Sequence, residues 1–464
     1  MRHNLLLLLL FCAPQILLAQ GGLPQFSATD VREDLKYMYS TLEKAHYNLY
    51  AFVPKKRHDA VYKQLAASIT ADSLNLLETT RLLQRFAATG NVGHCEVDFP
   101  VQPYIAYAQK GGTVFPLELA FEVGRAYVRK NHGDSTQVQV GSQVLSINGI
   151  PIQKLLRHIH PYLSAERPYF KDVKVEFFSF PRLYWSAFGE QPSFHLNVIG
   201  TDGKVATPTL KAITVMDYET RRGGELLSSD RTFRYLNGAA YISPGGFSSS
   251  EADGESKFKA FIDSAFTDIR SKGTPTLIVD LRNNAGGHNA YSDHLLAYLA
   301  DKPFKWHSSF SVKTSAVLKE QTRRQADTTD AFSLAILRHP DGAVFPFEFE
   351  PYQPVAAEKR YRGKVYVLIN RQTHSMAAVA AAQVKDYGFG ILAGEETGDV
   401  PTTYASQFSF ELPRTGITVK LPKSYFVRPS GDDAVKGVQP DVVVRDHLLG
   451  GRDEVLEKVL GMIN

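Results

Sequence analysis

The 464-residue chain has only two cysteines, Cys12 and Cys95, no excess of either charge, and no long apolar run after its first twenty residues. Each shortage excludes something. With Cys12 inside a leader that is removed, Cys95 has no partner in the chain, so stability is expected to come from apolar cores rather than disulfides. The 52 basic and 48 acidic residues leave a formal charge of +4. No basic run with interleaved aromatics occurs either, so nucleic acid is not expected as a partner. No later segment reaches the roughly 20 apolar residues that a bilayer-spanning helix needs. What is present is an ordinary globular composition, 44% hydrophobic and 22% charged, with material for two or three cores.

The N-terminus carries a different signal. Arg2 and His3 precede an apolar stretch from Leu5 to Leu18, followed by Ala19, Gln20 and Gly21. A short basic head, an apolar run interrupted by Pro14 and Gln15, and a small-residue exit read as a secretory signal over residues 1–20. The mature chain is therefore expected to be exported, to a periplasm or beyond the cell, without an integral membrane segment.

Three regions follow. Residues 21–102 read as helical. Asp30 with Glu33 has the form of a capping box, and Val31, Leu35, Met38 and Leu42 recur on one helical face. A second helix is expected from Leu76 to Phe86, stopped near Gly90. Residues 103–206 read as short strands, most clearly in the string from Gly141 to Ile150, whose alternating apolar residues are closed by the Asn148-Gly149 turn. Residues 207–464 alternate strands and helices: a strand at 240–242, and a helix with Phe258, Phe261, Ile262, Phe266 and Ile269 on one face. Strands at 276–280 and 364–369, a helix from Ser375 and a strand at 391–393 complete the series. That order predicts an α/β domain with a mainly parallel sheet and a site where the strands end.

Two segments can carry chemistry. At Val365–Ala378 a buried strand leads through a polar turn to Ser375 at the head of an alanine-rich helix. Free N–H groups and the positive end of the helix dipole would meet a developing oxyanion there, although Ser is also an ordinary helix cap. At Leu277–Gly287 a strand runs into Gly286-Gly287, which lets backbone approach a bound carbonyl closely. The Lys-Ser/Thr ending of a phosphate loop is missing.

The Asp280-Leu281-Arg282-Asn283-Asn284-x-Gly286-Gly287 string, the run from Thr373 through Ser375 to Asp386-Tyr387-Gly388, Gly394-Glu395-Glu396-Thr397-Gly398, and Gly437-Val438-Gln439-Pro440-Asp441 together resemble the C-terminal-processing (tail-specific) and tricorn-type serine proteases. Order and separations match along most of the mature chain. The resemblance implies a crotonase-like catalytic core with a helical N-terminal leader and a PDZ-like β-rich domain. By that likeness Ser375 is the nucleophile, and the N–H groups of Gly287 and Met376 form the oxyanion hole. Gly286 and His288 are expected to contact substrate.

The general base departs from the Ser/Lys pattern of tail-specific relatives, because Val400 holds the register position of the lysine. Lys385, about three turns along the nucleophile helix, reads as solvated. In the tricorn-like branch a His closes the helical leader, and here Asn91-Val92-Gly93-His94-Cys95-Glu96 holds that place. His94 is thus expected as base, since an imidazole titrating near 6.5 can take the Ser proton at neutral pH. His374 adjoins Ser375, but neighbours on a helix point apart. His158 and His160 lack a third ligand cluster, and Cys95 reads as a buried thiol. The supporting acid of the tricorn-like branch falls in register at Ala434, and Asp433 immediately upstream is the candidate.

The expected activity is an exported serine peptidase that hydrolyses peptides or unfolded protein through an acyl-enzyme, with no metal or organic cofactor implied. The alternative is a non-catalytic peptide- or lipid-binding protein on the same scaffold, as the similarity of interphotoreceptor retinoid-binding proteins to this family allows.

Overall fold

The computed structural model describes residues 23–227, 230–324, 328–449 and 451–463. The expected signal segment, residues 1–20, lies outside the described residues. Two compact units emerge: residues up to Gly224 with Lys313–Ala343 and Ala405–Lys423, and Glu225–Val312 with Val344–Tyr404 and the segment from Ser424 onward.

In the first unit, helices Ala28–Ala45, Lys55–Ser68 and Leu76–Ala87 precede a β-rich part. The face predicted for the first helix is buried at Val31, Leu35, Met38 and Leu42. Its cap, however, is Ser27: the Ser27 hydroxyl accepts the Asp30 N–H at 3.1 Å and donates to the Asp30 carboxylate at 2.7 Å. The Asp30/Glu33 capping box is thereby corrected, because Ala28 and Thr29 already sit in the first turn. The helix Leu76–Ala87 has a reciprocal box between Asn75 and Glu78 and passes into a 3-10 turn, Ala88–Gly90.

The region expected as strands alone also contains four helices, Val101–Gln109, Ile152–Ile159, Pro168–Phe178 and Phe180–Phe188. Their aromatic and β-branched residues resemble a strand pattern, but the last three bury Leu155, Leu156, Val175, Phe180 and Tyr184 against the sheet in one core, and Val101–Gln109 buries Tyr104 in another. The strand and hairpin expected between Gly141 and Ile150 are present, the strand being Gln143–Ile147: Ile147 pairs with Ile150, and Asn148 and Gly149 both take positive φ (51° and 75°), as a two-residue hairpin turn requires.

The second unit is a six-stranded sheet in the order Thr232–Leu236, Ala239–Ser243, Thr276–Asp280, Lys364–Ile369, Ile391–Gly394, Val442–Val443. The first pair is antiparallel and the rest are parallel. The central strands are buried on both faces. Leu277, Val279, Val365, Val367 and Ile369 face helices Gly254–Lys272, Asn289–Leu296 and Met376–Tyr387. Ile278, Tyr366 and Leu368 face the C-terminal helix through Val455, Leu456 and Val459. That double burial explains the near-continuous apolar runs. It also leaves the polar turns after Asp280, Ile369 and Gly394 together at the carboxyl edge of the sheet, where a site in a parallel sheet is expected.

Candidate active site

Three loops meet at that edge, and the hydrogen bonds between them are dense. The Leu281 N–H donates to the Leu368 carbonyl at 2.9 Å, carrying the sheet one residue past its strand. The Thr373 hydroxyl donates to the Leu281 carbonyl at 2.9 Å and accepts the Asn370 N–H at 3.0 Å. The Asn370 side chain accepts the Asn283 N–H at 3.2 Å and donates to the Asn283 amide oxygen at 3.0 Å. Asn284 clamps the glycine turn, donating to the Gly245 carbonyl at 2.7 Å and accepting the Gly286 N–H at 2.8 Å. Its own carbonyl accepts the His374 N–H at 3.0 Å.

These bonds bring Gly286 against the Ser375 turn. Gly286 has φ +78°, and a Cβ there would stand 2.6 Å from the His374 carbonyl oxygen and the Met376 nitrogen and 2.8 Å from Ser375 Cβ. Gly287 has φ +138°, and a Cβ there would lie 2.2 Å from the Phe247 carbonyl oxygen. That strand-like contact continues through Phe247 N–H to the Gly286 carbonyl (2.9 Å) and His288 N–H to the Phe247 carbonyl (2.7 Å). Both glycines are thus required by conformation and by space.

Ser375 stands immediately before the helix Met376–Tyr387 at φ 49°, ψ −125°, and its side chain makes no capping bond. For an L-residue this backbone costs on the order of 1–3 kcal/mol and persists only where surroundings over-determine it. An ordinary Ser cap is extended and bonds a helix N–H. Ser375 does neither, which separates it from the capping alternative. Met376 is the first helical residue, and its N–H belongs to the set that a helix leaves without an internal partner.

The Ser375 N–H donates to Asp399 Oδ2 at 2.8 Å. Asp399 is 1% exposed in its side chain, and the same oxygen lies 2.9 Å from His374 Nδ1. Its other oxygen accepts the Val400 N–H at 2.8 Å. In the sequence Asp399 is marked only as a carboxylate next to Val400, and nothing local distinguishes it from other loop carboxylates.

The remaining motif residues are structural. Asp280 accepts Arg282 and the Tyr241 hydroxyl, and Arg282 also forks onto Asp453 at 2.6 and 2.7 Å. Arg371, 2% exposed, pairs with Glu395 at 3.0 Å and donates to the Asp446 carbonyl at 2.5 Å. Burial above all pushes the Glu395 carboxyl up to about 7, with Arg371 opposing and Asp446 adding to the rise. Gly437 and Val438 donate to Glu396 Oε1 and Thr397 Oγ1, both at 2.9 Å. Lys385 is not simply solvated, since it bonds Asp441 and the Gln439 carbonyl at 2.8 Å.

Of the other sequence candidates, His288 is exposed and caps the helix Asn289–Leu296. Asp433 is exposed, beside Asp432, which pairs with Lys436 at 3.0 Å. His160 pairs with Asp172 at 2.9 Å and His158 stacks on Phe188. His94 belongs to the first unit, between the 3-10 turn and the strand Glu96–Val97. Its segment is tightly held: Gly93 donates to Glu166 at 2.7 Å and accepts Lys174 at 3.0 Å, and the His94 carbonyl accepts Gln407 at 3.0 Å. Cys95 is buried, and burial pushes its thiol up to about 12, too high for a ready nucleophile.

Residues 238–444 match the family model Peptidase family S41. A tail-specific protease of Haemophilus influenzae is 30% identical over 126 residues, a stretch that covers 25% of this chain and 18% of that protein's length. Among solved structures, mature CPAF complexed with lactacystin is similar with a TM-score of 0.65 at 17% identity, over 94% of this chain and 97% of that one. Mature CPAF in a second structure gives a TM-score of 0.64 at 16% identity, over 94% and 96% of the two chains. At such identities the likeness concerns the fold.

Proposed function

We propose that this chain, whose residues 238–444 form a peptidase family S41 domain, is an exported serine peptidase with Ser375 as nucleophile. The observation that carries the reading is the strained Ser375 turn with Gly286 packed against it. A side chain held off its cap at a helix start, beside backbone N–H groups, is the arrangement that acyl transfer requires.

In this reading the six-stranded unit is the crotonase-like core and residues 103–206 are a PDZ-like domain. His94 removes the proton from Ser375 Oγ as that oxygen attacks the scissile carbonyl. The resulting oxyanion receives the N–H groups of Gly287 and Met376. His94 then returns the proton to the departing amine, leaving an ester on Ser375, and water activated by the same imidazole releases the acid product. Asp433 is the candidate acid supporting His94, and Gly286 and His288 are the candidate substrate contacts. The substrate class is peptide or unfolded protein. Among the described residues no helix is long and apolar enough to cross a membrane.

Incubation with a fluorophosphonate tests the reading. The wild-type chain should be labelled and Ser375→Ala should not, while His94→Ala should slow labelling about 100-fold or more. Equal labelling of wild type and Ser375→Ala overturns the nucleophile. Absence of any labelling, together with saturable peptide or lipid binding, would establish the non-catalytic alternative.

A further inference from the structure

Ser375 occupies a backbone region that an L-residue leaves unless it is held, so the groups that hold it control where Oγ points. His374, one residue earlier, is tied by its N–H to Asn284. The Ser375 amide itself is tied to a carboxylate, Asp399. Asp399 is buried and gathers three groups of the active turn and its own loop: the Ser375 N–H and the Val400 N–H at 2.8 Å each, and His374 Nδ1 at 2.9 Å. Burial shields these bonds from competing water, since the Asp399 side chain is 1% exposed.

The loop that carries Asp399 is itself locked. Gly398 N–H donates to the Arg371 carbonyl at 3.0 Å, on the loop of the nucleophile, and Glu395 N–H to the Ile369 carbonyl at 3.2 Å. Thr397 Oγ1 donates to the Asp399 carbonyl at 2.8 Å and accepts the Val438 N–H at 2.9 Å. The Gly394–Gly398 and Gly437–Asp441 strings thus form one brace whose polar tip is the Asp399 carboxylate.

We propose that Asp399 is the positioning residue of this site: by accepting the Ser375 N–H it holds the strained turn and aims Oγ for attack. The proposal rests on the reading of Ser375 as nucleophile. It has a chemical corollary. With its amide committed to Asp399, Ser375 does not offer that N–H to an oxyanion, which leaves the task to Gly287 and Met376. It also gives the segment after Gly394 a function in a chain where Val400 stands in place of the lysine of Ser/Lys relatives. The carboxylate supplies geometry and takes no proton from the substrate.

The experiment compares full-length wild type, Asp399→Ala and Asp399→Asn by amide hydrogen exchange of the segment 370–380 and by fluorophosphonate labelling. In both variants exchange at the Ser375 amide should accelerate by at least about tenfold, while strand Thr276–Asp280 keeps its protection. Labelling should slow by about 100-fold, the cost of an ångström-scale misplacement, and peptide hydrolysis should lose kcat with KM within about twofold. Asp399→Asn, which keeps one acceptor oxygen for two amides, should fall between wild type and Asp399→Ala, and it decides the matter if Asp399→Ala does not fold. Wild-type exchange at Ser375 in a folded variant overturns the proposal. Failure of wild type to label would defeat the nucleophile reading alone, because exchange reads the positioning without catalysis.

Discussion

A Cβ placed on Gly286 would stand 2.8 Å from the Cβ of Ser375, so the glycine turn and the Ser375 turn touch with no room for a methyl group between them. Gly286→Ala should therefore push the two turns apart, abolish labelling of Ser375, and lower stability by about 2–4 kcal/mol through strain and overpacking. Urea denaturation and the labelling rate check this. Wild-type values of both would show that the turn yields freely.

Ser375 should be a residue that costs stability. At φ 49°, ψ −125° glycine suffers no Cβ penalty, so Ser375→Gly is expected to be about 1 kcal/mol more stable than Ser375→Ala. The order is opposite to the one these residues show inside a helix. An Ala variant equal to or more stable than the Gly variant in urea melts would mean that the turn is relaxed in solution.

Glu395 predicts a pH dependence of stability. Its carboxyl is raised from an ordinary 4.5 to about 7, mainly by burial. The folded chain therefore holds this proton more tightly than the unfolded chain does. Stability falls as pH climbs from about 4.5 to about 7 and is level above. A shift of that size corresponds to about 3 kcal/mol at 1.36 kcal/mol per unit. In Glu395→Gln the drop between pH 5 and pH 8 should shrink by most of that amount, whatever the variant's absolute stability beside Arg371. An unchanged drop would assign the proton elsewhere, with Asp293, raised to about 6 by burial, as the next group to test.

Cys95→Ser should leave fluorophosphonate labelling within about twofold, and native protein should resist a thiol reagent until it is unfolded, because the thiol is buried and its ionisation suppressed. Rapid modification in the native state would contradict the burial of this segment.

Asn284→Ala should cost about 2–4 kcal/mol, since it leaves the Gly245 carbonyl and the Gly286 N–H without their buried partner. Labelling of Ser375 should fall with it, because Gly286 is then free to move. Thermal melts and labelling measured together distinguish a loosened turn from a protein that merely unfolds earlier.

The sequence by itself determined the parallel sheet, the glycine pair, and Ser375 at the helix start. Apolar runs in strands buried on both faces, an Asn-Gly turn and an alanine-rich helix are local signals, written in consecutive residues. It misread what depended on neighbours far along the chain. The helices of 103–206 were hidden because their aromatic and β-branched residues suit either a strand or a helix packed on a sheet. The first helix began at Ser27 because the cap is chosen by the hydroxyl that reaches the N3 amide, and several polar residues competed for that role. The strain at Ser375, the clamp of Asn284 and Asn370, and the Asp399 carboxylate on the Ser375 amide belonged to tertiary structure alone. The Asp399–Ser375 bond joins residues 24 positions apart and the Asn370–Asn283 bond residues 87 apart, and no periodicity or spacing encodes which polar side chain of one loop will meet which amide of another.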